Sequence, residues 1–197
     1  SCGFPFLFQL QHQRRQCAHI VGRVALVDGQ RQQVPAVVGL DGVGGQQLQQ
    51  VLPPLADVDF IFYQPPAQAV GRVKKYVDEY QALLKDDTII GAFEIITTVA
   101  SGFPGKDGTY SFKTPQEQIL PWIEEAERSG LDCVLDLQPG RTDFVTQARR
   151  YEELLKRPHV GLALDPEWRL KPNEVHLTQI GSVAAEEVNR VGDWLSA

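Results

Sequence analysis

At 197 residues, with 43% hydrophobic and 22% charged residues, the chain is long enough to bury a core and has the composition of an ordinary globular protein. A net charge of −6 argues against a nucleic-acid binder working through a broad basic surface and is compatible with a neutral or small-molecule ligand. No run approaches the ~18 apolar residues of a membrane span, so no transmembrane segment is expected.

The chain opens on "SCGFPFLF". Cys2 permits a lipoprotein reading, but the apolar run behind it is unlike a polar tether, and no complete signal peptide is visible. The absence of methionine, position 1 included, reads as a processed product or a fragment. Cys2, Cys17 and Cys133 make neither a metal spacing nor a disulfide framework; Cys133, inside "LDCVLDL", reads as a small core residue. Residues 1–55 are rich in Gln, Val and Gly, and neither Lys nor Glu appears before Lys74 and Glu79. This segment reads as two or three strands, among them "AHIVGRVALVDG" and "VPAVVGLDGVG", or as a stretch foreign to the fold.

From residue 56 a βα-repeat domain is expected to run to 197. "ADVDFIFYQ" reads as a strand. "AVGRVKKYVDEYQALLKDD" reads as a helix, from apolar positions at Val70, Val73, Val77, Tyr80, Leu83 and Leu84. "TIIGAFEIITTVAS" is β-branched and apolar throughout, as in a strand buried on both faces. The glycine-rich "SGFPGKDGTYS" reads equally as a mobile lid or a solvated connection. "TPQEQILPWIEEAERSG" predicts a helix with Thr114 as N-cap, Pro115 at its first position, a kink or split at Pro121, and a stop at Gly130. "LDCVLDLQPG" is the next strand. "RTDFVTQARRYEELLKRP" is a helix with Phe144, Ala148, Tyr151 and Leu155 on one stripe, ended by Pro158. "HVGLALDP" is a strand, "VHLTQIG" is short and extended, and "SVAAEEVNRVGDWLSA" is a helix capped by Ser182 with Glu186 and Glu187 at its positive end.

Strand–helix alternation repeated in this way means an α/β fold with a parallel sheet and helical crossovers, either doubly wound or a (β/α)₈ barrel. No GxGxxG or GxxxxGK[ST] follows a strand, so no nucleotide cofactor is expected. A full barrel takes ~250 residues. The fold expected is therefore TIM-barrel-like, as a truncated or partial barrel.

Polar residues recur where strands end, and in parallel α/β folds those ends line the ligand crevice. Glu94 lies in "AFEII", Asp136 and Gln138 end "VLDLQ", and Asp165 and Glu167 end "LALDPE". Side-chain alternation puts Asp136 and Gln138 on one face, and Asp165 with Glu167 if the chain stays extended through Pro166. Burying ionised carboxylates is costly unless they are paired, so several at adjacent strand ends point to a ligand site. Two carboxylates flanking a bond are the equipment of a glycoside hydrolase. In that reading Asp165 or Glu167 is acid or base, Asp136 the partner, and Glu94 an electrostatic support. Trp168, Gln138, Arg141, His176 and Gln179 contact a carbohydrate or other small-molecule ligand, and Arg169 pairs with a carboxylate or a substrate anion. His159 reads as structural. No HExxH or HxH spacing supports a metal site, and no GxSxG supports acyl transfer, although an Asp/Glu/His metal-dependent hydrolase is a third reading after hydrolase and non-catalytic binding domain.

"AFEIITTVASGFPGKDG", "VLDLQPGRTDFVTQARRYEELLKRPHVGLALDPEWRL" and "VHLTQIGSVAAEEVNRVGDWL" resemble an uncharacterised actinobacterial family of secreted or lipoprotein-like proteins, over about residues 75–197. The resemblance implies a TIM-barrel-like, glycosidase-like domain and an extracellular or cell-envelope location. It implies no assigned substrate and no established catalytic residues. It also implies further strands beyond the "WL" helix, and it does not extend to the Gln-rich start.

Overall fold

The structure is a computed structural model and describes residues 6–8, 17–25, 37–40, 65–85 and 88–197. The strands are β1 (Phe6–Phe8), β2 (Cys17–Ala25), β3 (Val37–Leu40), β4 (Thr88–Ala100), β5 (Ser111–Lys113), β6 (Asp132–Leu137) and β7 (Val160–Leu164). The helices are α1 (Pro66–Leu83), α2 (Gln116–Ser129), α3 (Phe144–Ala148), α4 (Glu152–Leu155) and α5 (Ala185–Leu195), with single 3₁₀ turns at Arg149–Tyr151 and Pro166–Trp168. Strands β2, β4, β6 and β7 pair in parallel in that order, making a curled half-barrel sheet. Antiparallel β1, β3 and β5 flank it. Two of the flanking strands and β2 come from the Gln-rich segment, while the strand expected at 56–64 lies outside the described residues.

Alternation along the central strands separates two faces. Phe93 and Ile95 of β4, Cys133, Leu135 and Leu137 of β6, and Leu162 and Leu164 of β7 join one apolar cluster. That cluster also contains Val70 and Val73 of α1, Ile119, Ile123 and Ala126 of α2, Phe144 and Ala148 of α3, Leu154 of α4 and Val191 of α5. All five described α-helices thus pack on the same side. A doubly wound sheet carries helices on both faces, and the described helices do not follow that arrangement. Each fully buried Leu or Ile in the cluster contributes roughly 1.5–3 kcal/mol through removal from water. Burial also pushes the Cys133 thiol well above its usual range, consistent with a core residue.

Local sequence explains most boundaries. Gly130 ends α2 in the left-handed conformation (φ 71°), and the Leu131 N–H returns to the Ala126 carbonyl at 2.9 Å, closing a Schellman turn. Asp143 caps α3 by accepting the Thr146 N–H at 2.9 Å. Other expectations fail for specific reasons. Thr114 is not an N-cap: its N–H bonds to Thr97 O at 2.8 Å, finishing the β4–β5 hairpin one residue before the helix turns. The glycine-rich connection ends at Ser111, which opens β5. Helix α2 passes through Pro121 without splitting; only one amide is lost, and the ring lies on the exposed side. Ser182 does not cap α5, which starts at Ala185 after Ala184, although Glu186 and Glu187 do fall in its first turn. The helix expected over 141–158 is broken into α3, a 3₁₀ turn and α4, with Leu154 rather than Leu155 fully buried. No described helix is long and apolar enough to cross a membrane.

Candidate functional site

The face of the sheet away from the helices carries the acids. Ala92, Glu94 and Ile96 of β4, Val134 and Asp136 of β6, and Ala163 of β7 alternate with the helix-packed residues, and Gln138 and Asp165 continue that face just past their strands. Register places Glu94 level with Val134, and Asp136 level with Ala163. Each successive strand therefore carries its carboxyl two residues further toward its C-terminal end. The three form a staircase climbing to the rim, and all are buried: Glu94 is 2%, Asp136 0% and Asp165 1% exposed.

The top step is fastened by amides. Gln138 Nε2 donates to Asp165 Oδ2 at 3.3 Å, and Gln138 Oε1 accepts the Ala100 N–H at 2.9 Å. The Gln138 N–H bonds to both Thr98 O and Thr98 Oγ1. Thr97, the extra residue of a bulge between Ile96 and Thr98, donates its hydroxyl to Asp136 O at 3.0 Å. Ser111 Oγ donates to Gln138 O at 2.7 Å, and the wholly buried Gln147 donates to Pro139 O at 2.9 Å. The bulge, Thr97, Thr98, Ser111 and Gln147 were not legible as site residues; small hydroxyl residues beside a strand end were the only signal.

Glu167 and Trp168 leave this face. Past Asp165 the chain turns into a 3₁₀ helix over Pro166–Trp168, so the extended geometry stops and Asp165 and Glu167 do not share a side. Both residues instead line a separate apolar groove of about 1170 Å³ with His176, Gln179, Leu177, Ile180 and the start of α5. The predicted site thus divides in two: Glu94, Asp136, Gln138 and Asp165 on the sheet face, and Glu167, Trp168, His176 and Gln179 in the groove. The segment 175–181 is a turn rather than an extended stretch; Gln179 Nε2 and Thr178 Oγ1 both donate to Val175 O, and Leu177 takes φ 68°.

The arginines hold the rim together. Arg141 Nε and Nη2 donate to Glu174 O at 3.1 and 2.9 Å, and its guanidinium lies 4.2 Å from the Tyr110 ring centroid, so it is a loop clamp rather than a residue facing the acids or the groove. Arg169 Nε donates to Glu187 Oε1 at 2.9 Å, and that oxygen also accepts the Phe144 N–H at 3.2 Å. The side chains of this pair are only 20% and 13% exposed. Removing the carboxylate strands a partly buried guanidinium, so Glu187→Gln is expected to cost about 2–3 kcal/mol in urea unfolding. Glu79→Gln, which breaks the exposed Lys75–Glu79 pair, should change stability by under about 0.5 kcal/mol. Equal losses in the two variants would remove the role assigned to Arg169–Glu187.

The loop over 101–110 is pinned, not hinged. The Ser101 N–H bonds to Tyr110 O, the Arg141 N–H bonds to Thr109 O, and Lys113 Nζ reaches Asp107 Oδ2 at 2.6 Å. Burial pushes Asp107 upward, but hydrogen bonds from Lys113 and Thr109 hold its carboxyl down at about 2. These bonds favour the fixed connection over the lid.

His176 is 7% exposed, with Nε2 lying 2.9 Å from Tyr110 O and its ring edge-on to Trp168. A carbonyl offers no proton, so Nε2 carries the hydrogen and donates. Burial lowers the imidazole below 6.5, against the opposing effect of that hydrogen bond. Because the unfolded chain then binds the extra proton, stability rises with pH through the interval below 6.5 and is lost as pH falls through the folded value. His176→Gln should flatten the pH dependence of the urea midpoint below 6.5; an unchanged slope would rule the linkage out. His159 is structural as expected, its Nε2 set against Ile123 O at 3.1 Å.

No described grouping of three or more His, Cys, Asp and Glu residues is arranged to hold a metal ion. No family model, curated protein or solved structure matches this chain. Fold and site therefore define a class only: a mixed α/β protein whose curled, mostly parallel sheet carries helices on one side and carboxyls on the other.

Proposed function

We propose that the curled sheet is the half of a TIM-like barrel that bears a hydrolytic site, and that the protein cleaves a glycosidic bond in a carbohydrate or cell-envelope polymer. The observation that carries this reading is the staircase of Glu94, Asp136 and Asp165 on the face away from the described helices, rising to the strand ends. In barrels that face is the interior and that end is the catalytic mouth. Two residues along a strand and one strand across put the Asp136 and Asp165 backbones about 8 Å apart. That spacing suits the ~6.5–9.5 Å carboxyl separation of inverting hydrolysis. Asp165, held by Gln138, takes the acid or base role, Asp136 is its partner, and Glu94 supplies field from below. Glu167 drops out of the pair because the 3₁₀ turn carries it to the groove.

The near-complete burial of the acids favours a second reading, a non-catalytic envelope-binding domain. Turnover of a glycan library by the wild type, with Asp165→Asn and Glu167→Gln beside it, separates the two. Loss of turnover in Asp165→Asn alone supports the hydrolase. Binding of a glycan without turnover by any of the three proteins supports the second reading.

A further inference from the structure

We propose that Phe112 is a stacking platform for a sugar ring of the bound polymer, set across the mouth of the sheet from Asp165. The proposal rests on the reading above, from which it takes a glycan as the occupant. Strand register places the ring. Phe112 pairs directly with Val99 in the β4–β5 hairpin, and residues directly opposed in an antiparallel pair point to the same face. The bulge at Thr97 resets the parity of β4. Thr98 is level with Leu137, which faces the helices, so Val99 falls on the side of the carboxyls. Val99 is accordingly buried but lies outside the helix-packed cluster. Ser111, of the other parity in β5, is reached by Gln147 Nε2 of α3 from the helix side. Phe112 therefore stands on the acid face. It is 58% exposed there, whereas Phe93 and Phe144 are wholly buried in the core.

The ring shares a row with the top of the staircase. Thr97 O accepts the Thr114 N–H and the Ser101 N–H bonds to Tyr110 O, so the odd residues of β4 bond toward β5. Thr98 O and the Ala100 N–H bond to Gln138 on the opposite edge. The row across the mouth therefore runs Phe112, Val99, Gln138, Asp165, each one strand from the next. Three strand spacings separate the Phe112 and Asp165 backbones by about 14 Å, more than one pyranose spans. The platform is thus a distal subsite, reached by a polymer and not by a single sugar at the carboxyls. Its backbone is held on both sides: Ser111 Oγ donates to Gln138 O at 2.7 Å, and the Thr114 N–H donates to Thr97 O at 2.8 Å. A flat ring with two χ angles, fixed on a strand, loses little freedom on binding. It offers an apolar face to the C–H side of a pyranose and leaves the sugar hydroxyls at the edge in water.

The test is affinity electrophoresis of the whole chain in native gels containing soluble glucan, xylan, mannan, arabinogalactan or glycol chitin. At least one polysaccharide should retard the wild type. Phe112→Ala should weaken that binding about tenfold, and Phe112→Trp should keep it. Leu83→Ala removes a side chain of similar exposure (59%) at the end of α1 and should migrate as the wild type does. Far-UV circular dichroism should be unchanged in all three variants. Retardation by none of the polysaccharides overturns the platform, as does equal retardation of wild type and Phe112→Ala or an equal loss in Leu83→Ala. Binding is read without turnover, so the two ideas fail separately: Phe112-dependent retardation with no glycan cleaved would sink the hydrolase and leave the platform standing. Where the wild type cleaves a 4-nitrophenyl monosaccharide glycoside, Phe112→Ala should cleave it equally well. A matching loss there would put Phe112 beside the cleaved bond and overturn the distal subsite.

Discussion

Turnover by Asp165→Asn is expected to fall by about 10²–10⁴-fold, the contribution of a positioned general acid or base. Asparagine keeps the shape of the side chain and can still accept the hydrogen bond from Gln138 Nε2, so packing at the rim changes little. What it cannot do is exchange a proton with a leaving oxygen or a water. Asp136→Asn, one step lower on the neighbouring strand, should lose as much, because acid and base fail singly in an inverting mechanism. Glu167→Gln should remain within a few-fold of wild type, since the 3₁₀ turn points that carboxyl into the groove. The pattern across the three variants discriminates better than any one of them. If the polymer is instead cut by Glu167, the order reverses, and the sheet-face staircase is then structural. Anomeric analysis of the product gives an independent reading, with inversion expected from the ~8 Å step between the aspartates.

The shared face of Asp136 and Gln138 was legible in advance because it depends on parity, whereas the register that steps the acids from strand to strand was not. Strand side chains alternate, so once "VLDLQ" and "LALD" are read as strands, Asp136, Gln138 and Asp165 must each fall opposite the leucines that face the helices. Glu94 follows from the same rule in "AFEII". Parity gives no warning of where a strand stops. Pro166 is compatible with extension or with the first position of a turn, and the turn removes Glu167 from the side it would share with Asp165 in an extended chain. The extended reading of "VHLTQIG" failed for a related reason. Thr178 and Gln179 turn their side chains back on Val175 O, a local competition with the backbone that β-propensity does not register. Long-range clamps were harder still. Arg169 and Glu187 lie 18 residues apart, and Arg141 and Glu174 33 apart, and nothing local marks them as partners. One-sidedness of the helices, which separates a curled sheet from a doubly wound one, also had no local signature, because the helices are amphipathic in either case.

Both halves of the candidate site hang from one glycine, and Gly140→Ala should therefore be the most damaging small substitution at the rim. Gly140 sits just after β6 with φ 59°, a conformation that costs an alanine about 1 kcal/mol by itself. Space is the larger problem. A Cβ there would collide with the backbone carbonyl oxygen of Thr109 and crowd the Tyr110 backbone, and neither can swing aside as a side chain could. The peptide flanks are committed as well: the Gly140 N–H bonds to Trp168 O at 3.1 Å, and Gly140 O accepts the Leu170 N–H at 2.7 Å. The pinned 101–110 loop and the 165–170 segment therefore meet at this residue. A loss of about 3–5 kcal/mol is expected, at the upper end for single substitutions. Gly130 supplies the control. Its φ of 71° carries the same conformational penalty, but among the described residues no heavy atom stands within 4 Å of its would-be Cβ, so Gly130→Ala should cost only about 1 kcal/mol. Urea midpoints for the two variants measure the difference. Matching losses would mean that the Gly140 contact with Thr109 relaxes freely, and the rim would then be too loose to hold Asp165 and Trp168 in their separate sites.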